Sequence, residues 1–148
     1  DEKTLIFPGA AADPSCRNQK SLESRMKKKK NAGAKFIQTQ MVMKKENLIE
    51  FCEKISNPLE LPVIAGVFLL KSYKNALFIN KYVPGANIPD KILNRLQNAK
   101  DPLQEGIDIA AEQAQDFIQI ANGIHIMAVK AEHLIPEVLK KAELNLEY

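Results

Sequence analysis

Short apolar segments alternate with amphipathic segments along the chain. The apolar segments, which predict strands, are residues 4–7, 36–37, 61–70 and 124–129. The segment 61–70 is almost continuously apolar, as in a strand that is buried on both faces of a parallel sheet. A helical pattern follows each predicted strand. Alternation of this kind predicts an α/β domain, in which helices cover parallel strands.

Helices are predicted over residues 21–30, 46–55, 72–81 and 89–99, followed by a long helix that begins at residue 101 and a last helix over residues 132–142. Ser72 and Asp101 are suited to cap helix N-termini. Pro89 and Pro102 are suited to the first helical position. Gly123 is expected to end the long helix. The predicted order is β-α-β-α-β-α-α-α-β-α within a single domain.

Composition and charge favour an ordinary globular protein. The chain has 148 residues, of which 45% are hydrophobic and 26% charged, with a net charge of +3. This length is enough for a substantial core. The small net charge favours neither a nucleic acid nor a membrane partner, and no apolar run is long enough to span a bilayer. We expect a cytoplasmic protein.

The lysine run at residues 27–30 has two interpretations, a nucleic-acid patch or a solvated helix face. The second is favoured, since a helix directs consecutive side chains to different sides. Cys16 and Cys52 are far apart and form no C-x-x-C pair, which favours two reduced thiols. With only two histidines in the chain, a structural zinc site is not expected.

Candidate chemistry centres on residues 32–40, AGAKFIQTQ. A small-residue turn at Gly33 leads into a short strand that ends in Gln38, Thr39 and Gln40. Polar side chains at the carboxyl end of a parallel strand are where α/β folds bind ligands. An amide such as Gln40 offers a donor and an acceptor to a flat heterocycle. His125, in the last predicted strand, is on periodicity alone more often a hydrogen-bonded core histidine than a catalytic base.

Other common sites are not supported by the sequence. It contains neither a Gly-x-Gly-x-x-Gly segment after a strand nor a phosphate-binding P-loop motif. It also contains no nucleophile elbow. The residues alone therefore predict a parallel α/β domain with a ligand site at the carboxyl ends of its strands.

The segment AGAKFIQTQ resembles the AGA-x-F-x-x-TQ segment of methylenetetrahydrofolate reductases. Further segments are similar to this family in the same order along the chain: PGAAADP at 8–14, PVIAGV at 62–67, GANIP at 85–89 and GIHIMA at 123–128. Arg25, Met26 and Lys29 resemble the family's R-L-x-x-K pattern. The resemblance covers nearly the whole chain.

The resemblance implies the C-terminal half, strands five to eight, of a (β/α)8 TIM barrel. Asp1–Tyr148 would then be a single half-barrel domain of a longer chain, because four parallel strands cannot close a barrel. The family's catalytic acid lies in the first half, so this chain is expected to be inactive alone. The alternative is a stand-alone half-barrel that dimerises and serves as a binding or subunit-interaction module.

The implied activity is that of an oxidoreductase of one-carbon and methionine metabolism. FAD would pass a hydride to 5,10-methylenetetrahydrofolate and form 5-methyltetrahydrofolate. NAD(P)H or another donor would reduce the flavin. The implied partners are the folate substrate, this donor, the missing half-barrel and further copies of the chain in a homo-oligomer.

Site residues follow from the resemblance by position, and none of them is catalytic or a metal ligand. Gln40 matches the glutamine that hydrogen-bonds the folate pterin, and Asn75 and His125 fall near the folate. The residues that match the FAD site are Gly9, Ala10 and Ala11 along the flavin and Lys29, with Arg25 and Lys28, near its phosphates.

Overall fold

The computed structural model describes residues 6–144. Its sheet has four strands in the order β1 (Gly9–Ala12), β2 (Phe36–Met41), β3 (Val63–Phe68) and β4 (Gly123–Met127). All three neighbouring pairs are parallel. Each strand therefore lies beside the next one in sequence, with helical connections between them. The predicted α/β architecture, parallel strands with covering helices, is confirmed.

Six α-helices connect and follow the strands in the described residues. They are α1 (Gln19–Asn31), α2 (Lys45–Phe51), α3 (Tyr73–Tyr82), α4 (Asp90–Asn98), α5 (Pro102–Ile118) and α6 (Ile135–Lys141). A π-helical turn, Cys52–Ser56, extends α2, and a 3₁₀ turn, Glu132–Leu134, precedes α6. The element order agrees with the sequence pattern.

The predicted helix starts at Ser72 and Asp101 are confirmed. The Ser72 hydroxyl oxygen accepts a hydrogen bond from the Asn75 backbone N–H at 3.1 Å. The Asp101 carboxylate accepts two, from the N–H groups of Leu103 and Gln104, each at 3.1 Å. Pro89 differs from the prediction because its extended backbone makes it the N-cap, so that α4 begins one residue later.

The first strand lies later in the chain than predicted. Thr4 and Leu5 lie outside the described residues, and Ile6 and Phe7 precede the strand with exposed fractions of 79% and 72%. The strand is instead the small-residue segment Gly9–Ala12, which pairs with the first four residues of β2. Pairing with a neighbour therefore overrides the local preference for large apolar residues.

One face of the sheet packs against the helices and forms the main core. On this face Ile37, Val63, Ala65 and Val67 are buried. Helices α1, α2 and α5 supply buried partners, among them Leu22, Met26, Leu48, Phe51, Ala110, Ala114 and Phe117. A smaller cluster joins α3 and α4 to α5 through Ile79, Leu96 and Ile109. The residues that alternate with the core positions lie on the opposite face.

The close approach of α5 to the end of β3 gives a test of this packing. A methyl group at Gly106 would overlap the Leu70 carbonyl oxygen. Gly106→Ala should therefore lower the free energy of unfolding of the full-length protein by about 1–3 kcal/mol, although alanine ordinarily favours a helix by about 1 kcal/mol.

The matched control is Gly123→Ala, because a methyl group there meets no atom within 4 Å. The control should stay within about 0.5 kcal/mol of the parent in denaturant unfolding. Equal stability of the two variants would contradict the packing described here.

Candidate functional site

A pocket of about 420 Å³ lies over the face of the sheet that the helices leave open. Strands β1, β2 and β4 supply its walls. The lining residues are Gly9, Ala10, Ala11, Phe36, Gln38, Thr39, Gln40, His125 and Met127. The sheet therefore brings together small, aromatic and amide-bearing side chains from strands that are distant in sequence.

Alternation along β2 separates core residues from pocket residues. Ile37 and Thr39 are buried toward the helices, whereas Gln38 and Gln40 are exposed. In the parallel register Gln38 lies beside Ala11 of β1, whose side chain is too small to cover it. Two amide groups thus project from neighbouring positions on one face of a single strand.

An irregularity between β2 and β3 fixes the position of these amides. The register shifts between Gln38 and Met41. At this point the Gly66 backbone N–H donates to the Thr39 hydroxyl oxygen at 2.9 Å, and the hydroxyl donates to the Gln40 carbonyl at 2.7 Å. The buried Thr39 side chain therefore satisfies a backbone donor of the neighbouring strand.

Gly66 is required by the same irregularity. A Cβ atom at this position would lie 2.6 Å from the Gln40 carbonyl oxygen and 2.9 Å from the Met127 Cε atom. Separations this short between a side-chain carbon and backbone oxygen are repulsive. A glycine therefore allows the backbone at Gln40 to approach β3.

His125 spans the sheet from β4 to β2. It lies opposite Gly66 in the register. Its Nε2 atom is 3.0 Å from the Thr39 carbonyl oxygen, and its Nδ1 atom is 3.4 Å from the Gln38 side-chain nitrogen. Both ring nitrogens therefore have partners, as in a hydrogen-bonded core histidine. The ring also lines the pocket.

A smaller cavity of about 200 Å³ adjoins the pocket and shares Ala11 and Gln40 with it. Lys29 and Arg25 of α1 line this cavity together with Asp13. The Lys29 ammonium group donates to the Ala11 carbonyl oxygen, and the Arg25 guanidinium group donates to the Cys16 sulfur at 3.3 Å. Two cations against one carboxylate favour an anionic group here.

The structure brings most of the residues singled out in the sequence to these two cavities. Gly9, Ala10, Ala11, Gln40 and His125 line the pocket, and Arg25 and Lys29 line the adjoining cavity. Two others lie elsewhere. Lys28 is exposed on α1 and lines neither cavity. The Asn75 side chain lines neither cavity and instead accepts from the Lys71 N–H at 3.2 Å.

Four residues that line the pocket are absent from the set matched to the family's site: Phe36, Gln38, Thr39 and Met127. Gln38 was recognisable, because it is two positions from Gln40 on one strand and must share its face. Phe36 covers Gly9 and stacks on Phe7 with ring centroids 5.8 Å apart. Met127, in β4, is only partly buried. The exposure of the Phe36 and Met127 side chains depends on the strands that lie beside β2 and β4 in the sheet.

A further cavity of about 420 Å³ lies between α2, α4 and α5, and several of its charged side chains are held in ion pairs. Lys45 pairs with Asp116 at 2.8 Å, and Arg95 pairs with both Glu105 and Glu112 at 2.6 Å. The two carboxylates, Glu112 foremost, raise the pKa of Arg95. We therefore take the sheet-face pocket as the candidate site.

The structure describes neither a metal-binding cluster nor a membrane-spanning helix in residues 6–144. Residues 6–144 contain no group of three or more His, Cys, Asp or Glu side chains placed to hold a metal ion. None of the helices in this range is both long and apolar enough to cross a bilayer. Both cysteines are unpaired, and burial raises the pKa of the Cys52 thiol.

Comparison with known proteins supports the resemblance seen in the sequence. The sequence model of the family described as methylenetetrahydrofolate reductase matches residues 5–143. A similar solved structure is an uncharacterized protein from Clostridium thermocellum that binds two copies of 5-methyl-5,6,7,8-tetrahydrofolic acid. The TM-score is 0.65 at 23% identity, over 93% of this chain and 52% of that one. The likeness shows a shared fold, and this chain spans about half of that structure.

The hydroxyl of Thr39 offers a test of how the site is held. Thr39→Val should reduce the free energy of unfolding of the full-length protein by about 1–3 kcal/mol, because the buried Gly66 N–H loses its acceptor. Thr39→Ser keeps the hydroxyl and serves as the control in the same denaturant titration. A valine variant as stable as the serine variant would show that this hydrogen bond contributes little.

Proposed function

The chain belongs to the methylenetetrahydrofolate reductase family, and we propose that it supplies folate- and flavin-binding residues to an enzyme that reduces 5,10-methylenetetrahydrofolate to 5-methyltetrahydrofolate. The observation that carries the proposal is the position of Gln40. It lies in the segment AGAKFIQTQ, which resembles the family's AGA-x-F-x-x-TQ segment, and its exposed side chain lines the pocket on the open face of the sheet.

Gln40 has the chemistry that a pterin ring requires. Its side chain is exposed, and within residues 6–144 it makes no hydrogen bond to another protein group. The amide therefore retains a donor and an acceptor for the alternating N–H and C=O groups of the pterin edge. The folate bound by the Clostridium thermocellum protein of similar fold supports the same ligand class.

The residues near β1 fit a flavin dinucleotide in part. Ala11 presents a small side chain past which a flat ring can approach the strand, whereas Ala10 packs partly against the core and Phe36 already covers Gly9. Lys29 and Arg25, in the adjoining cavity, would hold the phosphate groups through charge-assisted hydrogen bonds. When bound, FAD would supply the hydride chemistry. The protein's part is to position the two ring systems and exclude water.

We further propose that the chain forms strands five to eight of a (β/α)8 barrel. Strands β1 and β4 are the edges of the described sheet, and an open edge favours pairing with another strand. The chain also spans about half of its structural neighbour. A first half-barrel would complete the barrel and contribute the catalytic acid, and NAD(P)H or another donor would reduce the flavin.

Removing the Gln40 amide tests the folate site. Gln40→Leu should weaken binding of 5-methyltetrahydrofolate to the full-length protein at least tenfold, about 1.4 kcal/mol, because the pterin loses its hydrogen-bonding partner. Isothermal titration calorimetry measures the change. Lys27→Met is the control, since Lys27 pairs with Glu23 on the exposed side of α1. Unchanged affinity in the leucine variant would overturn the assignment.

Lys29 should affect the cofactor and not the folate. Lys29→Met should raise the Kd for FAD about tenfold, through loss of a charged hydrogen-bond donor, and leave the Kd for 5-methyltetrahydrofolate unchanged. Flavin fluorescence during titration reports the first constant. A variant that loses both ligands equally, or neither, would contradict the proposed role of Lys29.

A further inference from the structure

We infer that Gln38 is a specificity-determining residue, which accepts a hydrogen bond from the ligand and so selects a ring that carries an amino group on the edge facing β2. The inference rests on the proposed folate site, and it names the chemistry that this site selects. It is carried by the chain of contacts from the Thr39 carbonyl through His125 to Gln38.

The Thr39 carbonyl sets the tautomer of His125. A carbonyl oxygen accepts hydrogen bonds and cannot donate them, so the His125 Nε2 atom, 3.0 Å away, must carry the proton. In a neutral imidazole the other nitrogen, Nδ1, is then an acceptor. The ring therefore presents a lone pair toward β2.

The tautomer in turn sets the orientation of the Gln38 amide. The Gln38 nitrogen lies 3.4 Å from Nδ1 and donates to it. This leaves the Gln38 carbonyl oxygen as the free acceptor on a side chain that lines the pocket. Turning the amide over would direct its oxygen at the Nδ1 lone pair, which is repulsive.

Gln38 and Gln40 therefore have different roles. The Gln40 amide makes no hydrogen bond to protein within the described residues, so it can turn to suit either a donor or an acceptor. His125 restrains Gln38 to one orientation. On a strand, Cα atoms two residues apart are separated by about 7 Å, a distance that a fused two-ring heterocycle spans.

The inferred ligand class is a fused heterocycle that carries an exocyclic amino group on the same ring as a carbonyl. A 2-amino-4-oxo pteridine satisfies this condition. Its 2,4-dioxo analogue, in which oxygen replaces the amino group, would direct an acceptor at the Gln38 oxygen. A site built to pair with an N–H group discriminates against a ligand that lacks it.

The test compares 5-methyltetrahydrofolate with its 2-deamino-2-oxo analogue on the full-length protein. The parent protein should bind the amino form at least about tenfold more tightly, the effect of one hydrogen bond. Gln38→Leu should reduce this preference to within about threefold. Gln38→Glu, which keeps an acceptor, should retain it.

His125 is a positioning residue in this scheme. His125→Ala releases the Gln38 amide, so the preference should fall while binding of the amino form persists. Because Gln38 is exposed, its substitution should disturb the fold little. Each preference is the ratio of two affinities measured on the same variant, so a partial loss of folded protein affects both affinities equally and leaves the ratio unchanged.

Two results would overturn the inference. One is equal affinity of the parent protein for the two compounds, and the other is a preference that survives in Gln38→Leu. Failure of the parent to bind either compound would instead overturn the proposed folate site, on which the inference rests, so the two failures are distinguishable.

Discussion

The hydrogen bond from the Gly66 N–H to the Thr39 hydroxyl is the contact on which the candidate site depends. It replaces a regular ladder bond at the point where the register of β2 and β3 shifts. The shift brings the Gln40 carbonyl against Gly66, and Thr39 at the same position presents its own carbonyl to His125. A buried N–H without a partner would cost about 1–3 kcal/mol, so this irregularity is specified by the sequence.

The same elements build the core and the site. Along β2, Ile37 and Thr39 anchor the strand against the helices, and this anchoring forces Gln38 and Gln40 to the open face. Helix α1 has a similar division, because Leu22 and Met26 are buried in the core while Arg25 and Lys29 line the smaller cavity. Burial of the apolar residues on β2 and α1 thus also fixes the positions of the polar side chains on the same two elements.

The sequence predicts those parts of the fold that local chemistry decides. The continuous apolar run at residues 61–70 predicted β3, and the capping residues Ser72 and Asp101 predicted the starts of α3 and α5. The first strand was misplaced because Gly9–Ala12 has low strand propensity and is held by pairing with β2. The family motif pointed to Gln40 and left out Gln38, whose role depends on the imidazole of a strand two places away in the sheet.

The composition of the pocket on the open face of the sheet bears on the proposed barrel, in which this chain would form one of two halves. In the described residues the pocket is lined by amides, an imidazole and small side chains, and carboxylates are not among its lining groups. Such a surface can orient a ring and distinguish its edges, but it offers no strong acid to the substrate. If the proposed function holds, this half recognises the ligands, and the acid that the chemistry needs must come from the half facing it. The neutral pocket then has a physical reason, because a carboxylate beside Gln40 would compete with the ligand for its amide donor.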